Sequence, residues 1–152
     1  MKTWTSTIEV NAGIGDVWHI LDGSEEHLRK LDPNIIKNEV IEETPERVGS
    51  RYLQEYKEGK RVMSYEVKVL DYNETDQTKL FKIGFNLDGM FEVTARYDIT
   101  ALDENHTRVK YTVTNDPLKL IPKIMMFFMR NDNVMDTHMN RIKELTEAET
   151  NH

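Results

Sequence analysis

From Ile35 to Thr114 the sequence alternates apolar and polar residues with a period of two, broken at short intervals by turn residues. That pattern leaves few folds open. It is clearest from Met90 to Leu102, where Phe91, Val93, Ala95, Tyr97, Ile99 and Ala101 alternate with Glu92, Thr94, Arg96, Asp98 and Thr100. Successive side chains of a strand point to opposite sides of a sheet, so such a strand has one covered face and one wet face. Four neighbours repeat the pattern. Ser50 to Tyr56 places Tyr52, Gln54 and Tyr56 inward; Arg61 to Asp71 places Met63, Tyr65, Val67 and Val69. Lys79 to Leu87 places Phe81, Ile83, Phe85 and Leu87, and Thr107 to Thr114 places Val109, Tyr111 and Val113. Ile35 to Glu43 is strand-like as well, and Tyr-Asn-Glu-Thr-Asp-Gln-Thr after Asp71 reads as a polar loop. Glu58-Gly59-Lys60 and Asp88-Gly89 have the composition of hairpin turns, in which glycine supplies a positive φ. Strands joined by hairpins are antiparallel. The chain therefore needs something to cover one face of an antiparallel sheet.

The cover is a helix. Between Pro117 and Glu149 the period changes to that of a helix, with Ile121, Ile124, Met125, Phe128, Met135, Met139 and Ile142 on one side. Lys123, Arg130, Thr137, Arg141 and Glu144 fall opposite. The first half is apolar nearly all round, because Leu120, Met126, Phe127 and Met129 occupy its remaining sides, which implies a second apolar surface in need of a cover. Asn115-Asp116-Pro117 is expected to end the sheet and begin this helix.

Ahead of the sheet, Thr3 to Val10 reads as one more strand with Trp4, Ile8 and Val10 inward. Two short helices follow. Val17, Trp18 and Leu21 form the inner face of the first; Ser24 caps the second, which carries Leu28 and Leu31 and stops at Asp32-Pro33. No internal repeat or flexible linker appears, so residues 1–152 are expected to form a single domain.

Composition narrows the function. A net charge of −7 argues against a sequence-independent nucleic-acid binder, which needs a positive footprint. The absence of cysteine excludes disulfides, thiolate nucleophiles and iron-sulfur clusters, and fits a reducing cytoplasm. No run approaches the ~18 apolar residues of a transmembrane segment, and the start of the chain reads as a strand rather than an apolar signal core, so a cytoplasmic location is expected.

The order of elements, the opening Val-Asn-Ala-Gly-Ile-Gly-Asp-Val-Trp-His-Ile-Leu-Asp, the Pro-Glu-Arg-Val-Gly-Ser-Arg-Tyr segment, the Glu-Tyr-Lys-Glu-Gly-Lys-Arg hairpin and the long terminal helix together resemble the START-related SRPBCC superfamily. That group includes polyketide cyclase/dehydrase-like, birch-pollen-allergen-like and coenzyme Q-binding proteins. The resemblance covers almost the whole chain. It implies an α+β helix-grip fold: a curved seven-stranded antiparallel sheet wrapped around a long C-terminal helix, with two short helices between the first two strands and an elongated apolar cavity. The superfamily hosts carriers, cyclases, hydroxylase subunits and chaperone co-factors, so the fold alone does not fix an activity.

The strand alternation and the helix period together name the residues that would line such a cavity. They are Tyr52, Tyr56, Met63, Tyr65, Phe81, Phe85, Phe91, Tyr97 and Tyr111 from the sheet, and Met125, Phe128, Asp132 and Met135 from the helix. Methionine adapts to varied apolar shapes, and each tyrosine couples an apolar body to a hydroxyl that needs a partner. The expected ligand is a hydrophobic small molecule with a few oxygen atoms: a lipid, an isoprenoid quinone or a polyketide-like aromatic. For any one of these residues, plain core filling is the competing reading. Asn131 and Asp132 lie close to the inward side, and His138 on its flank is a candidate general base as well as a candidate structural histidine.

Catalytic signatures are otherwise sparse, and no catalytic residue is assigned. There is no Gly-x-Ser-x-Gly, and Trp18 stands where a dinucleotide fingerprint begun by Gly13 and Gly15 needs a glycine. His19, His27 and His106 share no metal-ligand spacing, so no metal and no cofactor are expected. The leading function is binding of a hydrophobic small molecule. One alternative is a cyclase/dehydrase-type enzyme using Tyr52, Tyr97, Tyr111, Asp132 or His138; another is a protein-interaction module or homodimer meeting its partner through Met126, Phe127 and Met129.

Overall fold

The computed structural model describes residues 2–21, 25–87, 91–117 and 132–150. Its strands are β1 (Lys2–Val10), β2 (Ile35–Glu42), β3 (Arg51–Glu58), β4 (Arg61–Glu74), β5 (Thr78–Leu87), β6 (Phe91–Asp103) and β7 (His106–Pro117). Helices α1 (Ile14–Leu21) and α2 (Glu25–Leu31) lie between β1 and β2, and α3 (Asp132–Thr150) closes the chain. The strands form one antiparallel sheet in the order β1-β7-β6-β5-β4-β3-β2. Every strand from β2 to β7 lies beside its neighbour in sequence, and β1 closes against β7. The expected curved, seven-stranded sheet with its helical cover is present.

Register explains how the inward positions form rows. Ser6, Tyr111, Tyr97, Phe81 and Tyr72 are successive cross-strand partners from β1 to β4. Beside that row run Ile8, Val109 and Ile99 on one side, and Trp4, Val113, Ala95, Ile83 and Val69 on the other. Between Arg51 and Val67 the β3–β4 pairing sets Tyr52 against Val67, Gln54 against Tyr65 and Tyr56 against Met63. Gly59, with φ of 57°, makes the β3–β4 hairpin turn that its position demanded. The Asp88-Gly89 turn lies outside the described residues.

Two strands run further than their polarity suggested. β4 continues through Tyr72, Asn73 and Glu74, because its backbone goes on pairing with Leu80 and Lys79 of β5. A bulge between Val69 and Asp71 inserts one residue, leaves Leu70 exposed and turns Tyr72 inward. β7 continues through Asn115 to Pro117, held by Lys2 of β1 and by Phe91 to Val93 of β6. Proline at the last position of a strand gives up one donor only, so the pairing survives it.

α3 lies along β1 and runs in the same direction. The Ser6 hydroxyl donates to Asp136 at 3.1 Å, the Lys143 ammonium to the Glu9 carbonyl at 2.9 Å, and the Asn11 amide to Glu147 at 3.3 Å. Met139 and Ile142 point from this helix into a dry cluster of Val10, Ala12, Val17, Ile20, Leu21, Leu31, Ile99 and Val109. The inner face of α1 includes Ile20 with Val17 and Leu21, while Trp18 is packed at its edge. Thr107, fully buried beside them, donates its hydroxyl to the Ala12 carbonyl at 2.8 Å, which satisfies the one polar group this end of the core contains on β7.

Candidate functional site

Beyond the dry cluster the inward face becomes aromatic. Tyr97 and Tyr111, opposite each other on β6 and β7, stack with ring centroids 4.6 Å apart. His138 comes down on them from α3, its ring centroid 5.1 Å from Tyr111 and its Nε2 2.7 Å from the Tyr97 hydroxyl. Alternation placed both tyrosines inward, and the helix period placed His138 only on the flank. The packing of α3 on β1 turns that flank onto the sheet.

The electrostatics follow from burial. Burial, helped by the positive charge of Arg141, pushes the His138 imidazole down to about 4, so it is neutral at pH 7. Burial drives the Tyr97 phenol well above its ordinary value, with Tyr111 and the charge of Asp32 adding to the effect. Tyr111 is pushed up to about 12, again by burial first. The cluster is therefore two intact phenols and a neutral imidazole. Two proton arrangements satisfy it: Tyr97 O–H donates to Nε2 with the ring hydrogen on Nδ1, or Nε2–H donates to the Tyr97 oxygen and the Tyr97 hydroxyl hydrogen turns toward Tyr111. In either arrangement no charge is created, and the group can offer a third molecule a donor or an acceptor.

Two residues that the sequence assigned elsewhere complete the surroundings. Asp32, read as the stop of α2, feels burial that pushes its carboxyl up, offset by the Asn34 backbone N–H at 3.3 Å and by the charge of Arg141. Arg141, expected on the far side of the helix, extends its guanidinium back to donate to the Leu31 carbonyl at 3.2 Å. A helical wheel assigns Cβ directions, whereas a long side chain can carry its charge around the helix. Asp32 had no signal beyond Asp-Pro, a turn pair found in any fold.

The remaining expected lining residues spread along the sheet. Tyr65 stacks on Phe85 at 5.0 Å, and its phenol is pushed up chiefly by burial. Phe81 meets Trp18 at 6.2 Å and Tyr72 at 6.4 Å, so the tyrosine left out of the inward set belongs to the same aromatic wall. Tyr56 is buried and its hydroxyl accepts from the Asn34 amide at 3.0 Å, a structural role at the edge of the site. Tyr52 and Met63 are half-buried on β3 and β4, and Phe91 begins β6 opposite Leu87. Asp132 and Met135 stand at the start of α3, with side chains outside the described set. Met125, Phe128 and Asn131, with Met126, Phe127 and Met129 of the expected outer surface, lie outside the described residues. Glu66 and Asp98, set on the wet face by alternation, are paired there with Arg51 at 3.0 Å and Arg96 at 2.9 Å.

A second cluster arises where the three helices meet. His27 of α2 is buried, and its Nε2 lies 3.1 Å from a carboxylate oxygen of Glu149 on α3. His19 of α1 meets the His27 ring edge-on at 5.0 Å. The spacing of these histidines in sequence gave no hint of their meeting. No helix among the described residues is long and apolar enough to cross a membrane.

No protein-family model and no curated protein matches the chain. Solved structures do. It is similar to the Zhui aromatase/cyclase of Streptomyces sp. R1128 at a TM-score of 0.75 and 13% identity, over 98% of this chain and 95% of that one. A START superfamily protein of Mycobacterium smegmatis superposes at 0.74 with 13% identity, over 96% and 97%. Norcoclaurine synthase of Thalictrum flavum, in complex with dopamine and hydroxybenzaldehyde, superposes at 0.66 with 18% identity, over 97% and 87%. At these identities the likeness is one of architecture. The chain shares the helix-grip fold of these structures.

Proposed function

We propose that the protein binds a hydrophobic small molecule carrying one or two oxygen atoms between the inward face of the sheet and the C-terminal helix. The observation that carries this reading is the contrast between the two ends of that face. In the cluster around Met139 and Ile142 the buried side chains keep between 0 and 7% exposure. Along the aromatic rows Tyr65, Phe81 and Phe85 are only half-buried, although β4 and β5, which carry them, are central strands. Rings that face inward and still keep accessible surface suit a pocket better than a close-packed core. The Tyr97–His138 pair gives that surface its polar anchor. Norcoclaurine synthase, of the same fold, holds two small oxygen-bearing aromatics in its complex, which supports an aromatic ligand here.

The test is equilibrium binding of an uncharged naphthol probe, followed by fluorescence. Tyr97→Ala and Phe85→Ala are each expected to weaken binding by about tenfold, the effect of losing ~1.4 kcal/mol of contact. Unchanged binding in both variants, or no saturable binding by the native chain, would sink the proposal.

A catalytic version of this reading, of cyclase or dehydrase type, is favoured by one observation: a neutral imidazole 2.7 Å from a phenol can take a proton from a bound substrate while the phenol steadies the oxygen left behind. Turnover would then follow a pH profile with its acid limb near the His138 value of about 4, lost in His138→Ala. A rate that follows binding alone, with no such limb, leaves the protein a carrier.

A further inference from the structure

The meeting of α1, α2 and α3 points to a second site, chemically unrelated to the first. Among the described residues, one group of three metal-ligating side chains comes together: His19, His27 and Glu149, whose ligand atoms all lie within 4.8 Å of one another. Each comes from a different helix. We infer that this cluster binds a divalent transition-metal ion of the zinc type, through two imidazole nitrogens and one carboxylate oxygen.

The donor set decides the class of ion. Two imidazoles and a carboxylate suit zinc, copper, nickel or cobalt, whereas calcium and magnesium take oxygen ligands. In a tetrahedral zinc site, bonds of ~2.0–2.1 Å set the ligand atoms about 3.3 Å apart. The His27–Glu149 edge, at 3.1 Å, is already of that length. The His19 edges need to shorten by no more than about 1.5 Å, a movement within reach of a side-chain rotation. His19 is exposed and sits in the last turn of α1, and its ring already meets that of His27 edge-on, so a side-chain rotation suffices to aim its nitrogen. Three protein ligands leave a fourth position for water.

Charge around the site sets its affinity. Lys30 places its ammonium 3.9 Å from the same Glu149 oxygen and 3.3 Å from Glu26. It neutralises Glu149 when no metal is bound and opposes a cation when one is. Its side chain is 46% exposed, so it can draw away from Glu149 as the metal enters while keeping its pairing with Glu26. Because the ligands come from three helices, an ion here would tie the α1–α2 elbow to the end of α3. Binding free energy would appear as stability of that corner.

The experiment is calorimetric titration of zinc chloride into the full chain after dialysis against a chelator. One equivalent is expected, with a rise in melting temperature. His19→Ala and Glu149→Gln should each weaken binding at least about tenfold and abolish the rise. Lys30→Met should tighten binding, which a purely structural role for Glu149 would not produce. His27 is buried, and its replacement can fail to fold, so His19→Ala carries the test; His106→Ala, on an exposed hairpin, serves as the control that leaves affinity unchanged. Cobalt in place of zinc adds a spectroscopic reading, since tetrahedral nitrogen and oxygen ligation gives visible absorption that His19→Ala removes. The inference is overturned if no heat appears up to about 1 mM zinc, or if His19→Ala and Glu149→Gln bind as the native chain does.

Discussion

At the scale of single residues, the Tyr97–His138 hydrogen bond ties α3 to the centre of the sheet, and both partners would be costly to orphan. Removing the hydroxyl in Tyr97→Phe leaves a buried imidazole nitrogen without this partner. The expected loss is about 1–3 kcal/mol of stability, read by denaturant unfolding. An unchanged midpoint would mean that water replaces the phenol at no cost. The pH dependence has a definite sign. Between about pH 4 and 6.5 the folded His138 is neutral and the unfolded one is protonated, so the unfolded chain binds one more proton there. Stability must fall as pH falls through that window, by up to about 1.4 kcal/mol per unit. Asp32 works in the opposite direction, since its raised carboxyl takes a proton earlier in the folded state. His138→Gln keeps a hydrogen-bonding partner for Tyr97 and leaves Asp32 in place, so the difference between the two stability curves isolates the imidazole. Parallel curves would show that His138 titrates normally.

At the scale of elements, α3 is fixed by a few apolar contacts and by polar ties to β1. Ile142 has no exposed surface, and Ile142→Ala is expected to cost about 2–5 kcal/mol in chemical denaturation, against less than 1 kcal/mol for an exposed position such as Glu144. The entry to α1 is tight for a different reason. A Cβ on Gly13 would stand 2.9 Å from the Glu104 carbonyl oxygen, a backbone atom that cannot step aside. Gly13→Ala should therefore destabilise by about 1–3 kcal/mol in the same measurement, whereas Gly15→Ala, with open space around it, should be neutral or mildly stabilising. Elements were legible in the sequence where polarity and pairing agree. β6 matches its alternation almost residue for residue. They were misread where pairing overrides polarity: Tyr72 to Glu74 look like a loop, yet they gain backbone partners on β5, and the bulge after Val69 reverses which side faces in.

For the whole molecule, the sheet's curvature and the helix across it set two surfaces against each other, dry at one end and aromatic at the other. A ligand held at the aromatic end should raise the melting temperature by mass action, by the equivalent of about 2.7 kcal/mol when present at a hundred times its dissociation constant. In Tyr97→Ala that gain should disappear under the same ligand concentration, and a gain of equal size would place the ligand elsewhere. Period-two alternation and hairpin glycines determined the antiparallel sheet and its inward face, and the helix period after Pro117 determined its cover, because these signals are local. Tyr65, Tyr97 and Tyr111 were legible on the same grounds, and Tyr72, turned inward by the bulge, was not. Contacts between distant elements were not. The rotation of α3 that brings His138 onto Tyr97, the reach of Arg141 to Leu31, the approach of Asp32, and the meeting of His19 with His27 and Glu149 depend on how three helices pack against one sheet. Side chains from separate elements converge only when those elements dock, and the docking is set by volume and shape across the core, which no local pattern in the sequence encodes.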